Sequence, residues 1–139
     1  MYRIILEHLS RQEFNHLNDI RPIIAYDSMS FDEPFFSFKN SGPSAKRVFA
    51  EKTKYFDPNP EASILERNKG YNIGFDLDIT PGDHEIKLFF RDWDGNQYQQ
   101  IYKLTVRGVK IDDHGYEVLD VIRPVLISEE LIEQSDIKI

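Results

Sequence analysis

The chain has 139 residues, a formal net charge of −7 and no cysteine. This length is enough for one domain with a substantial core. The absence of cysteine excludes disulfides, thiolate metal sites and thiol nucleophiles. The acidic balance disfavours nucleic acid as a partner, because phosphate backbones carry the same sign of charge. No apolar run approaches the ~20 residues of a membrane span and no signal peptide is recognised, so we expect a soluble chain and favour a cytoplasmic location.

The first predicted element is a helix from Arg3 to Asn18, within an N-terminal segment of residues 1–19. No glycine or proline occurs in it, and its apolar residues fall near helical spacing: Ile5, Leu6, Leu9, Phe14 and Leu17. A helix of this length is marginal alone, so its apolar stripe needs a surface to cover it. We expect the helix to stand apart from the core and to support homo-oligomerisation or partner docking. Packing against its own domain is the alternative.

Short apolar runs alternate with turn residues between Pro22 and Arg107. They predict strands over residues 23–26, 34–39, 45–55, 63–66 and 71–79. No interval has room for a crossover helix, so the sheets are expected to be largely antiparallel. About seven short strands at this spacing predict a β-sandwich domain over residues 20–108.

A hairpin is the strongest single signal in the chain. An apolar run ending at Phe90 reaches Asp94-Gly95 and leaves in a second run with aromatic residues at Tyr98 and Tyr102. A residue that tolerates positive φ is needed where a tight turn matches the twist of the strands. The pattern therefore predicts two antiparallel strands joined by an Asp-Gly turn.

The last segment, residues 109–139, is predicted to be a mixed appendage. Val118 to Ile127 is apolar enough for a strand, and the stretch from Ser128 to Glu133 begins like a capped helix.

The sequence thus predicts an all-β protein of immunoglobulin-like type. It consists of an antiparallel β-sandwich with an N-terminal helix and a short C-terminal strand and helix.

Two short patterns resemble those of a group of bacterial immunoglobulin-like domains. The stretch from Asn40 to Ala45 is similar to their Asn-x-Gly turn, in which a small residue then opens a strand. The stretch from Asp92 to Tyr98 is similar to their Asp-x-x-Gly-x-x-Tyr signature. The resemblance covers about residues 20–107. It implies a domain without known enzymatic activity, of a kind often found after a single membrane helix, although this chain has a longer tail and no such helix.

The single tryptophan, Trp93, falls at the predicted hairpin tip beside Asp94. Exposed aromatic residues tend to mark contact surfaces. Together with Tyr98, or with Phe31 and Phe35-Phe36, it forms a candidate platform for a protein or a sugar. The candidate binding residues are Trp93, Asp94, Tyr98 and Phe31. The alternative is that Trp93 folds back and covers the core.

Acidic turns raise the question of calcium. Asp92, Asp94 and Asn96 place oxygen ligands at alternate positions, as a calcium loop does at its start. An EF-hand needs glycine sixth and glutamate twelfth, whereas here glycine is fourth and Lys103 is twelfth, so an EF-hand is excluded. A looser site that adds other turn residues stays open, and so does plain turn hydrogen bonding. These other residues are Asp76, Asp78 or the pair Asp112-Asp113. The stretch Asp112-Asp113-His114-Gly115 is a separate candidate metal site, with a plain exposed turn as the alternative.

Catalytic patterns are missing from the sequence, since there is no nucleophile elbow and no glycine-rich phosphate loop. We therefore expect a non-enzymatic protein-interaction module that needs no cofactor or metal and binds a protein partner. Two alternatives remain. One is an acidic inhibitor or decoy that occupies a basic partner surface, as the charge of −7 permits. The other is a calcium- or carbohydrate-binding β-sandwich.

Overall fold

Short apolar runs separated by turn residues form nine strands in the computed structural model, which describes residues 16–17, 19–30, 35–51, 55–56, 64–76 and 78–132. The strands are β1 (Ile24–Ser30), β2 (Phe35–Asn40), β3 (Ala45–Ala50), β4 (Tyr55–Phe56), β5 (Ile64–Leu65), β6 (Lys69–Phe75), β7 (Gly82–Arg91), β8 (Gln97–Ile111) and β9 (Glu117–Ile132). They build two sheets, with orders β1-β2-β6-β4 and β5-β3-β7-β8-β9. All pairings among the described strands are antiparallel, which confirms the predicted all-β antiparallel architecture.

The core lies between the two sheets because each of them turns an apolar face inward. In β7 the alternate residues Ile86, Leu88 and Phe90 are buried, as the period of a strand requires. Rings from the two sheets meet where Phe38 of β2 and Tyr102 of β8 pack edge to face, with their centroids 4.8 Å apart. The two sheets therefore enclose one shared aromatic core.

Two predicted strands are shorter than the sequence pattern indicates. The run predicted over residues 45–55 is divided, because residues 45–50 form β3 in the five-stranded sheet and residues 55–56 form β4 in the other. The run predicted over residues 71–79 ends as a strand at Phe75. The apolar pattern therefore predicts that these strands exist, but it does not predict the residues at which they end.

The C-terminal part is more closely integrated than the predicted appendage. β8 and β9 pair from Gln97 opposite Ile132 to Ile111 opposite Glu117, so residues 117–132 are a full strand of the five-stranded sheet. The helix predicted to start at Ser128 is wrong, because the segment up to Ile132 continues β9. The helix-start pattern is a weak local preference, and pairing with β8 outweighs it.

The predicted N-terminal helix lies mostly outside the described residues and gains no support here. Helical backbone occurs at His16, Leu17, Asp19 and Ile20, and the Arg21 amide donates to the carbonyl of Leu17 at 2.7 Å. Leu17 is buried in the core between the sheets. The one stripe residue that is described therefore packs inside the sandwich, in contrast to the expected separate helix.

The Asn-x-Gly pattern has a structural explanation at the end of β2. Asn40 is fully buried, and its Oδ1 accepts hydrogen bonds from the amides of Ile23 and Gly42 at 3.1 and 3.0 Å. Its Nδ2 donates to the carbonyls of Pro43 and Leu65 at 2.9 and 3.1 Å. A Cβ at Gly42 would lie 2.7 Å from the Ile23 nitrogen, so only glycine fits there. The pattern thus fastens the start of β1 and the short β5 to one turn.

Candidate functional site

The predicted hairpin is present, and its loop runs from Asp92 to Asn96. The flanking strands close at Arg91 opposite Gln97, so the loop is longer than a tight two-residue turn. Gly95 has a φ of 89°. This left-handed conformation completes a type of hairpin loop in which a turn is followed by a glycine bulge.

Asp92 organises this loop from a fully buried position. Its Oδ1 accepts hydrogen bonds from the amides of Asp94 and Asn96, both at 2.9 Å. Its Oδ2 accepts from Asn96 Nδ2 at 2.9 Å and from the Tyr98 hydroxyl at 2.8 Å. Burial and then the hydrogen bond to Asp92 raise the pKa of Tyr98. The Asp-x-x-Gly-x-x-Tyr pattern is therefore accounted for by the fold.

The same loop occurs again at the other end of β8. The carboxylate of Asp112 accepts hydrogen bonds from the amides of His114 and Tyr116, both at 2.9 Å, and Gly115 has a φ of 83°. Sequence reasoning missed this repetition, although an Asp-x-x-Gly pattern twenty residues later signals it. Since β8 spans fifteen residues, a strand rise of ~3.3 Å per residue places the two loops roughly 45 Å apart.

Trp93 lies at the tip of the first loop and is 55% exposed. The Lys46 ammonium sits over the indole, 3.9 Å from the ring centroid, in a cation–π contact. Beside it, His16 Nε2 lies 2.8 Å from Asp94 Oδ2. We call these four residues the Trp93 surface. It offers one exposed aromatic ring flanked by charged groups, which makes it a candidate contact surface.

The predicted platform is only partly assembled. Tyr98 is fully buried against Phe90, with ring centroids 5.2 Å apart, because β8 alternates and Tyr98 faces the core. It therefore does not join Trp93 on the surface, and this expectation is corrected. Phe36 is also buried in the core, while Phe31 lies outside the described residues. Trp93 and Asp94 remain as the described members at the surface.

Calcium ligation by the first acidic turn is opposed by its hydrogen bonds. Both Asp92 oxygens already accept two donors each. In the part of the chain that the structure describes, no three His, Asp or Glu side chains come close enough together to hold a metal ion. The acidic turns named by the sequence therefore do not converge on one another within these residues.

A partly buried polar network joins the chain around the start of β1 to β8 and β9. Arg21 and Glu129 form an ion pair at 2.5 Å, and Gln100 Nε2 donates to Glu129 at 2.6 Å and to the Ile24 carbonyl at 2.7 Å. The Tyr102 hydroxyl donates to Gln100 Oε1 at 3.1 Å. Burial and then the nearby Glu129 charge raise the pKa of Tyr102. Each group is satisfied by a neighbour, so the network serves the fold.

Exposed apolar side chains are concentrated on one hairpin. Ten large hydrophobic residues are exposed in the described part of the chain. Three of them, Ile23, Ile64 and Trp93, lie elsewhere. The other seven belong to β8, β9 or the loop between them: Val109, Ile111, Tyr116, Ile122, Val125, Leu126 and Ile127. Clustered exposed apolar residues of this kind mark interaction surfaces more often than scattered ones do.

Comparisons with protein-family models, with curated proteins and with solved structures give no match. The resemblance to bacterial immunoglobulin-like domains therefore stays a prediction. Within the described residues, no helix has the length and apolar character needed to cross a membrane. The described residues offer two candidate surfaces, the Trp93 surface at one end of β8 and the exposed apolar side chains along the β8–β9 hairpin.

Proposed function

We propose that the protein is a non-catalytic protein-interaction module of immunoglobulin-like fold, and that the β8–β9 hairpin is its contact surface. The observation that carries this proposal is the distribution of exposed apolar residues, seven of ten on that hairpin. Burying such residues against a partner removes apolar area from water, which is the main favourable term in protein association.

The strand order supports the immunoglobulin-like part of the proposal. In such domains strands A, B, E and D form one sheet and strands C, F and G form the other. If β1, β2, β3, β4, β6, β7 and β8 are lettered A to G in chain order, the sheet β1-β2-β6-β4 has the order A-B-E-D, and β3-β7-β8 has the order C-F-G. β5 and β9 are then additional edge strands of the five-stranded sheet.

The edge strand β9 favours contact through side chains over the addition of a partner strand. Pro124 lies within it and cannot donate a backbone hydrogen bond. Its pairing with β8 is also irregular at this proline, between Lys103 and Thr105, and again just after it, between Ile101 and Tyr102. Prolines and bulges are the devices by which natural proteins protect exposed edges. A partner is therefore expected to contact the projecting apolar side chains.

Affinity purification with a matched pair of variants tests the proposal. We expect a partner retained by the full chain to be lost by the triple variant Ile111→Ser, Val125→Ser and Ile127→Ser. The control Ile64→Ser removes an equally exposed apolar residue on β5 and should retain the partner. Unchanged thermal unfolding of both variants shows that the fold is intact. Equal retention by the triple variant and the wild type would remove the basis of the proposal.

Carbohydrate binding at the Trp93 surface is a second candidate, favoured by the exposure of the indole. Sugar rings stack on exposed aromatic faces, but here the Lys46 ammonium occupies one face. Because Trp93 is the only tryptophan, its intrinsic fluorescence reports this surface alone. A saturable change in Trp93 fluorescence on titration with oligosaccharides supports this candidate. The control is calorimetry, in which the Trp93→Ala variant should show no binding of the same sugar. Lack of any change counts against it.

A further inference from the structure

The outer end of the β8–β9 hairpin extends beyond the sandwich. The last pair between β7 and β8 is Gly82 opposite Val106. Beyond it, among the residues that the structure describes, only β8 and β9 pair, from Gly108 opposite Asp120 to Ile111 opposite Glu117. We call residues 107–120 the arm. Two-stranded ribbons are marginal in water without a surface to pack on, so the arm is the part of the sheet most in need of a partner.

The arm carries the core-facing side of the sheet outward. Leu119 is buried in the core and lies directly opposite Val109, so the two side chains share one face. Ile111 lies two residues further along β8 and shares that face as well. Val109, Ile111 and the loop residue Tyr116 are 60%, 63% and 69% exposed. Val109 and Ile111 thus continue the apolar core face into solvent, and Tyr116 adds an exposed aromatic ring at the loop end of the arm.

The charges on the arm select the kind of partner. Four acidic and two basic residues lie on it: Asp112, Asp113, Glu117, Asp120, Arg107 and Lys110. Both cations are already used, because Arg107 and Lys110 lie 3.1 and 3.6 Å from Asp120 Oδ1. The apolar side chains are therefore bordered by carboxylates, and the chain as a whole carries −7.

We infer that the arm docks on a partner protein surface that combines apolar side chains with lysine and arginine. This inference rests on the proposed function and adds the class of partner. A basic surface complements the carboxylates and speeds the encounter. A second copy of the chain would set acidic arm against acidic arm, and an anionic membrane would repel the same carboxylates.

A library of random dodecapeptides, displayed and selected on the immobilised full chain, provides the probe. We expect the selected peptides to combine lysine or arginine with apolar residues and to lose affinity as salt rises. The paired change Ile111→Ser and Tyr116→Ser should weaken their binding at least about tenfold, as removal of anchor residues does. Asp113→Asn with Glu117→Gln should weaken it less and flatten the salt dependence, and Ile64→Ser should leave it unchanged.

Other outcomes overturn the inference in distinguishable ways. Peptides that need Val125 and Ile127 but tolerate the arm variants leave the proposed function standing and refute the arm as the docking site. Selected peptides without basic residues refute the partner class. A dimer by analytical ultracentrifugation that dissociates in Ile111→Ser makes a second copy the occupant. If no peptide binds the hairpin at all, the inference and the proposed function fail together.

Discussion

Replacing the buried Asp92 by asparagine is the sharpest test of how the first hairpin loop is built. Asn keeps the shape of the side chain and the Oδ1 acceptor, but it puts an NH₂ group where Oδ2 accepts from Asn96 Nδ2 and the Tyr98 hydroxyl. Hydrogen bonds to a charged group contribute about 1.5–3 kcal/mol each. Asn96 is partly exposed and can turn to water, whereas Tyr98 is fully buried. We therefore expect Asp92→Asn to lower the free energy of unfolding by about 2–4 kcal/mol.

The second loop supplies a matched control. Asp112→Asn makes the same change in the same turn, but there only Oδ1 accepts the two loop amides and the bonds are exposed. We expect it to cost less than about 1 kcal/mol. Urea unfolding followed by far-ultraviolet circular dichroism is the assay, because Trp93 fluorescence reports the altered loop itself. Equal costs for the two variants would refute the assignment of Asp92 as a buried anchor, as would full additivity of Asp92→Asn with Tyr98→Phe.

Three further predictions concern the core and its edges. Gly42→Ala should destabilise the protein by about 2 kcal/mol or more, because its Cβ meets backbone at 2.7 Å; urea unfolding at wild-type stability would contradict the close approach. Leu17→Ala should cost about 2–4 kcal/mol, since Leu17 lies in the core, and an unchanged Tm would show that the N-terminal segment is dispensable. Burial raises the pKa of Tyr55 to about 12 and raises those of Tyr98 and Tyr102 further. Folding therefore favours the protonated forms of these tyrosines. Their contribution to the free energy of unfolding is fully present below the unfolded pKa of about 10 and is lost as the pH rises above it. Tyrosinate absorbance from these residues should appear together with unfolding, and ionisation well before loss of circular dichroism would contradict their burial.

Much of the fold could be predicted because its signals are local. Alternation places Ile86, Leu88 and Phe90 on one face whatever the rest of the chain does, and the Asp94-Gly95 pair marks the hairpin turn. The course of the C-terminal segment could not be predicted in the same way. The segment from Ser128 carries a helix-start pattern, and only its pairing with the first residues of β8, about thirty positions earlier, makes it a strand.

The candidate surfaces were predictable to a smaller extent. Trp93 was expected at a hairpin tip, and it is exposed there. The burial of Tyr98 could be predicted from the same pattern only by expecting its hydroxyl to donate a hydrogen bond to the buried Asp92. Such a bond places the Tyr98 ring in the core and not on the surface. The exposed apolar residues of the β8–β9 hairpin could not be predicted as one feature, because the sequence pattern indicates a separate appendage over residues 109–139 and does not show that it pairs with β8. Three consecutive apolar residues, Val125 to Ile127, carry the signal, since a strand that is apolar on both faces needs cover on both.

Hydrogen–deuterium exchange of the full chain, alone and bound to the partner recovered by affinity purification, tests the central claim most directly. The proposed function predicts that binding slows amide exchange along the β8–β9 hairpin, over residues 107–127, where the exposed apolar side chains lie. Slowed exchange confined to the loop from Asp92 to Asn96, with the hairpin unchanged, would contradict it and move the contact surface to Trp93.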